Sequence, residues 1–207
     1  IRPPHFHATT GLMQALCDAG LHLPDSVRFA FVSGDRLQGY CLPADCGIPL
    51  VNLYGPSEAS CVTVGTRIPV DAPTPVPIGR PATNTNAYIL DPAGRLVPQG
   101  AVGELCISGP FLSPGYLNRP QETAAKFVPN PYPGPGHEMI YRTGDLARWR
   151  PDGQIECLGR NDGQVKIRGF RIEPQEITAV LLGVPGLRSA FVDVVQQGEN
   201  RHLAAYL

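Results

Sequence analysis

The sequence predicts an α/β layer, then antiparallel β structure closed as a barrel or stacked as a sandwich, then the opening of a small α+β lobe. Three observations lead there. Over the first sixty residues, apolar runs that suit buried strands alternate with a helix pattern and end in polar loops. From about Cys61 to Leu158, short strand-like runs are separated by Pro/Gly turns such as Asp91-Pro92-Ala93-Gly94 and Pro151-Asp152-Gly153. After Asp162 the pattern changes again, to strand, helix and strand.

In chain order, Thr10–Ala19 reads as a short helix with a threonine cap, apolar Leu12, Met13 and Leu16, and Gly20 as its stop. Phe29–Val32 and Pro49–Val51 are buried strands, running into loops at Ser33-Gly34-Asp35 and at Asn52. Cys61–Arg67, Ala87–Leu90, Glu104–Ser108 and Gln154–Leu158 read as the short strands of the middle region. Val165–Arg168 alternates like a strand. Glu173–Leu182 is a helix with Pro174 in its first turn, where a missing N–H costs nothing, and Ala190–Val195 is a strand. The boundary is placed at Asp162: residues 1–162 form part of a larger core, and 163–207 a lobe cut off at Leu207.

Composition narrows the function. Hydrophobic residues make up 43 % and charged residues 17 % of 207, so the chain can bury a core. Net charge is −1 and no Lys/Arg run exceeds two residues, which argues against capture of nucleic acid or an anionic membrane. No apolar stretch nears the ~20 residues that span a bilayer. The six cysteines (17, 41, 46, 61, 106 and 157) show no Cys-x-x-Cys pair or zinc pattern, and read as buried thiols of a reducing cytoplasm. Five histidines lack metal or triad spacing, and neither a P-loop nor a Gly-x-Gly-x-x-Gly loop occurs.

Chemistry concentrates in Asn52-Leu53-Tyr54-Gly55-Pro56-Ser57-Glu58. Tyr54 offers a flat face for a base. Gly55 and Pro56 set a tight turn that lets the backbone come close. The Ser57 hydroxyl can donate to a phosphate oxygen, and Glu58 is a hard oxygen ligand suited to Mg²⁺. Alone, the stretch also fits a strand turning at Gly55-Pro56 with polar surface groups. A second motif, Tyr141-Arg142-Thr143-Gly144-Asp145, brings a carboxylate able to accept both hydroxyls of a ribose, or simply to cap a turn. Arg160 and Asp162 follow in Gly159-Arg160-Asn161-Asp162-Gly163-Gln164-Val165-Lys166-Ile167-Arg168-Gly169.

These motifs, with Gly103–Gly109, Gly115-Tyr116-Leu117-Asn118-Arg119-Pro120 and Arg168–Glu173, closely resemble the adenylation domain of nonribosomal peptide synthetases, within the superfamily of acyl-CoA synthetases and luciferases. The resemblance spans essentially the whole chain. It implies an open α/β layer over about 1–60, a distorted antiparallel β-barrel over about 61–158 and a truncated C-terminal α+β subdomain. It also implies that Asn52 meets the adenine edge, Tyr54 stacks on the ring, Ser57 meets the α-phosphate, Glu58 holds Mg²⁺, and Asp145 holds the ribose with Arg160 nearby. Asp162 would be the hinge of the small lobe, and Lys166 to Gly169 would border a thiol tunnel. The implied activity is condensation of an amino acid with ATP to aminoacyl-AMP, then transfer to the phosphopantetheine of a peptidyl carrier protein, beside a condensation domain.

Family positions for the amino-acid pocket fall on His7, Phe31, Ser33, Leu53, Cys61 and Val62, several of which also suit a plain core. His, Ser and Leu here resemble serine-activating pockets, although Val62 stands where an acid is frequent; the expected substrate is small and polar. Ser57 replaces the commoner Thr, and Pro174-Gln175 stands where Leu-Gly is frequent. The family's Ser/Thr/Gly-rich phosphate loop, its amino-group Asp and its C-terminal Lys fall outside these 207 residues, so the chain alone is expected not to catalyse adenylation. Two alternatives remain at this stage: an acyl- or aryl-CoA ligase of the same superfamily, which needs no adjacent carrier domain, and a degenerate, non-catalytic binding module.

Overall fold

A computed structural model describes every residue except 1–3, 21, 38, 40, 43–46, 73, 168–169 and 198–199. Arg168, Gly169 and Cys46 therefore lie outside the described residues. The chain divides into two compact units, Ile1–Asn161 and Asp162–Leu207.

The first unit begins with β1 (His5–Thr9) and α1 (Thr10–Asp18). The helix is capped by Thr9, whose hydroxyl accepts from the Leu12 N–H at 3.4 Å. Parallel pairing joins β1 to β2 (Phe29–Ser33) and β2 to β3 (Leu50–Tyr54). Then β4 (Val64–Ile68) runs antiparallel to β3, and β5 (Arg80–Pro81) to β4. Alternation along these strands turns Ala8, Ala30, Val32 and Leu50 onto one face, where Met13 of α1 and Leu37 close a core. Val32, Leu50, Met13 and Leu37 each contribute roughly 1.5–3 kcal/mol by leaving water, and the alanines less. Register puts His5, His7, Phe29, Phe31, Ser33, Val51 and Leu53 on the other face.

A second sheet follows. Its order is β10 (Ile155–Arg160), β9 (Met139–Trp149), β7 (Gly103–Ser108), β6 (Asn86–Leu90), all antiparallel, with β8 (Phe127–Pro129) also on β9. Helix α2 (Pro120–Lys126) leads into β8. Strand β7 lies between two neighbours and is buried along its whole length. Val64, Ile78, Ile89, Leu105, Ala147 and Ile155 form a core against which Tyr54 packs. The two sheets meet where the Ile155 N–H donates to the Gly79 carbonyl at 2.7 Å. Among the described residues no ladder returns β6 to β10, so the middle region is an open antiparallel sheet joined to the first at one edge.

The second unit holds β11 (Val165–Ile167) paired with β12 (Phe170–Ile172), then α3 (Pro174–Leu182), and β13 (Phe191–Gln197) paired with β14 (Asn200–Tyr206). Pro174 opens α3 at its first turn. No helix among the described residues is long and apolar enough to cross a membrane.

Candidate active site

The Gly55-Pro56-Ser57-Glu58 segment is a tight reversal built on a single 3₁₀ turn, Ser57–Ala59. Ser60 and Cys61 then take left-handed backbone (φ 57° and 67°), which swings the chain round so that the Thr63 N–H can donate to the Tyr54 carbonyl at 2.9 Å. Gly55 lies under this crossing: a Cβ there would sit 2.5 Å from the Cys61 carbonyl carbon, so only glycine fits. Ser57 is exposed on the turn and Glu58 is buried beneath it. The Tyr116 hydroxyl donates to Glu58 Oε1 at 2.7 Å and lies 3.4 Å from the Tyr141 hydroxyl of β9. Two more bonds pin the turn to the 111–116 loop: Ser113 N–H to the Glu58 carbonyl at 2.8 Å, and Ser60 Oγ to the Phe111 carbonyl at 3.0 Å.

Strand β9 carries the second carboxylate. Asp145 is 7 % exposed, and two donors from other strands converge on it. The Tyr54 hydroxyl donates to Oδ2, and Arg160 Nη1 donates to Oδ1 at 2.8 Å, while Arg160 Nη2 reaches the Thr143 carbonyl at 2.9 Å. Burial first, and the neighbouring Asp145 charge second, hold the Tyr54 hydroxyl well above its ordinary value near 10, so it stays a donor through the neutral range. An ionised carboxylate offers about four acceptor positions, so two remain for further donors. The motifs around positions 54, 145 and 160, far apart in sequence, are thus one site.

The other expected residues fall into four groups. Asn52 is on β3 rather than in a loop; it is buried, and its amide donates to the Pro77 carbonyl at 3.1 Å. His7, Phe31, Ser33 and Leu53 share the outer face of the first sheet; His7 Nε2 is hydrogen-bonded to Ser33 Oγ at 2.8 Å, and Phe31 stacks on Phe29 with ring centroids 6.2 Å apart. Cys61 and Val62 lie exposed on the return turn, Cys61 not in a strand as its run suggested. In the second unit, Asp162 accepts from the Gln164 N–H at 3.3 Å, and Lys166 lies on β11.

None of the five described cysteines is in a disulfide. Burial, with Cys17 beside it, pushes the Cys41 thiol up to about 12, and burial does the same to Cys106. Neither is a nucleophile at neutral pH.

Residues 1–117 match the AMP-binding enzyme family. The chain belongs to that family. Among curated relatives of this AMP-binding chain, tyrocidine synthase 2 of Brevibacillus parabrevis is 52 % identical over 160 residues, which is 76 % of the chain and 4 % of that protein. Bacitracin synthase 3 of Bacillus licheniformis is 48 % identical over 88 % of the chain and 3 % of its own length. The chain thus spans a small part of the relatives it matches. Among solved structures, an NRPS protein containing adenylation and PCP domains aligns over 98 % of the chain and 42 % of its own, with a TM-score of 0.81 and 28 % identity. An artificially fused adenylation–PCP di-domain NRPS from Klebsiella oxytoca aligns over 99 % and 39 %, with the same TM-score and 25 % identity.

Two residues of this AMP-binding chain's site escaped the sequence reading. Tyr116 and Glu104 stood only as letters within motifs, and nothing local distinguishes them. Glu104 finds its partners across the sheet, and Tyr116 finds Glu58 from a loop.

Proposed function

We propose that the chain is the nucleotide-binding part of an amino-acid adenylation domain within a larger peptide synthetase. The supporting observation is the Asp145 carboxylate held between Tyr54 and Arg160, on the same strand that meets Glu58 through Tyr141 and Tyr116. Asp145 would take the ribose hydroxyls on its two remaining acceptor positions. Tyr54, its hydroxyl fixed, would present its ring to adenine, and Asn52 would meet the adenine edge. Ser57, exposed at the head of the turn, would donate to the α-phosphate.

Glu58 suits Mg²⁺ as one hard oxygen ligand, and no cluster of three His, Cys, Asp or Glu occurs among the described residues. Glu58 would hold the cation as one of its ligands, the others coming from nucleotide and water. Bound there, ATP and Mg²⁺ supply the electrophilic phosphorus and the charge neutralisation that lets pyrophosphate leave. What the chain adds is position: both carboxylates are buried and tied before substrate arrives, so little reorganisation is left to the reaction.

His7, Phe31, Ser33, Leu53, Cys61 and Val62 would line the amino-acid pocket, with a small polar substrate such as serine. The second unit would swing about Asp162, bringing Lys166 and Gly169 to a thiol tunnel for the phosphopantetheine of a peptidyl carrier protein; a condensation domain would be a neighbour. The open antiparallel sheet would be one wall of a barrel. The likeness to peptide synthetases supports this reading over a free CoA ligase. The test is amino-acid-dependent ATP–pyrophosphate exchange by the complete protein. Exchange with serine-like substrates is expected, none above background from the 207-residue chain alone, and activity confined to large apolar amino acids would overturn the pocket assignment.

A further inference from the structure

Glu104 takes no part in the reaction just described, yet it is 8 % exposed and both of its oxygens are engaged beside the site. It lies on β7, across from the strand that carries Asp145. Oε2 accepts from Arg142 Nε at 3.0 Å and Nη2 at 2.6 Å; Oε1 accepts from the Gly144 N–H at 3.1 Å.

The ladder slips at this point. Glu104 pairs with Leu146 but Cys106 pairs with Arg142, so Thr143, Gly144 and Asp145 all bulge opposite Leu105. Gly144 has φ +78°, left-handed backbone that glycine adopts freely. Inside a bulge a backbone N–H loses its ladder carbonyl and must find another acceptor. At Gly144 that acceptor is Glu104. The rest of the bulge is closed the same way: Thr143 Oγ1 donates to the Leu105 carbonyl at 2.7 Å and accepts the Asp145 N–H at 3.0 Å, and the Asn161 N–H donates to the Gly144 carbonyl at 3.0 Å.

We propose that Glu104 is a positioning residue for Asp145: by clamping Arg142 with one oxygen and Gly144 with the other, it fixes the bulge that aims the Asp145 carboxylate between Tyr54 and Arg160. The inference deepens the nucleotide-site reading and rests on it. The role requires acceptors on both oxygens. A glutamine offers one acceptor and one donor group, so it must turn its NH₂ against either the guanidinium or the Gly144 N–H.

The test uses the complete protein, titrated calorimetrically with AMP and with 2′,3′-dideoxy-AMP, which lacks the hydroxyls Asp145 would hold. The native protein is expected to prefer AMP by about tenfold or more, the worth of hydrogen bonds to a charged acceptor. Glu104→Gln is expected to erase most of that preference while leaving dideoxy-AMP binding within about twofold, whereas general loosening of the fold would weaken both ligands together. Preference retained in Glu104→Gln, or both ligands weakened alike, overturns the positioning role. No preference in the native protein overturns the ribose reading itself, a distinguishable failure. Should Glu104→Gln not fold, the double variant Glu104→Met/Arg142→Leu removes the clamp without stranding a buried charge, and the same two titrations decide.

Discussion

The corner around Asp145 and the outer face bearing His7, Phe31, Ser33 and Leu53 belong to the same unit but are held very differently. At the corner, four strands, a bulge and two arginines tie their polar groups to one another, and the Asp145 and Glu104 carboxylates are buried. On the face, the described contacts are the His7–Ser33 hydrogen bond, the Phe29–Phe31 stack and an edge contact of His5 with Phe31, among exposed and half-exposed side chains. In a network in which each member satisfies several others, deleting one leaves its buried partners short of a bond. A face with few mutual obligations can exchange residues at little cost in folding. On the proposed reading the division has a purpose: groups that meet the nucleotide are locked, and groups that choose the amino acid are left free to vary.

The sharpest break of that contrast is at the carboxylates. Asp145→Ala removes the carboxylate that pairs with the largely buried Arg160 guanidinium, so an unfolding free-energy loss of about 3 kcal/mol is expected in denaturant titration. Asp145→Asn keeps the shape and is expected to weaken AMP binding about a hundredfold, through lost bonds to a charged acceptor. Glu58→Gln preserves an acceptor for Tyr116 and should leave the melting temperature nearly unchanged, yet lower Mg²⁺-dependent pyrophosphate exchange by the complete protein about a hundredfold. Large losses of stability in Glu58→Gln would mean that the carboxylate is structural.

Sequence alone revealed the motifs but not the way they are joined. Tyr54, Gly55, Pro56, Ser57 and Glu58 were legible because their chemistry is contiguous, and Phe29–Val32 because a buried strand is apolar without interruption. The longest strand among the described residues, β9, is hidden in the sequence: Arg142-Thr143-Gly144-Asp145 breaks its alternation in the middle, and a glycine there looks like a turn until the neighbouring strand shows the bulge. Helix α2 has seven residues and none buried, so there was no apolar stripe to detect. The sequence places the end of β3 at Val51, because Asn52 resembles the start of a loop, although its amide donates to the Pro77 carbonyl inside the core. Register sets the limit for Glu104, and for Tyr116 the limit is the loop that carries it back to Glu58.

A smaller effect is expected at Tyr54. Tyr54→Phe deletes one donor to a buried carboxylate and should cost about 1.5 kcal/mol. Its pH dependence identifies the cause. The folded hydroxyl titrates above its ordinary value near 10, so the unfolded chain releases this proton first as pH rises. The group's stabilisation is therefore complete below about pH 10 and is lost as pH climbs toward the folded value. Native protein should lose stability above about pH 10 more steeply than Tyr54→Phe, in urea titrations across that window. Parallel slopes would separate Tyr54 from Asp145.

The least costly change should be on the outer face. His7 is exposed and its bond to Ser33 competes with water, so Ser33→Ala and His7→Ala are each expected to change unfolding free energy by no more than about 0.5 kcal/mol. AMP affinity should not move, because neither side chain touches the Asp145 corner. What should move is the ranking of amino acids in pyrophosphate exchange by the complete protein, away from small polar substrates once the hydroxyl or imidazole is gone. If instead both variants lowered AMP affinity and left the ranking intact, the division between a locked nucleotide corner and an open selective face would be wrong, and the face would have to be counted as part of the nucleotide site.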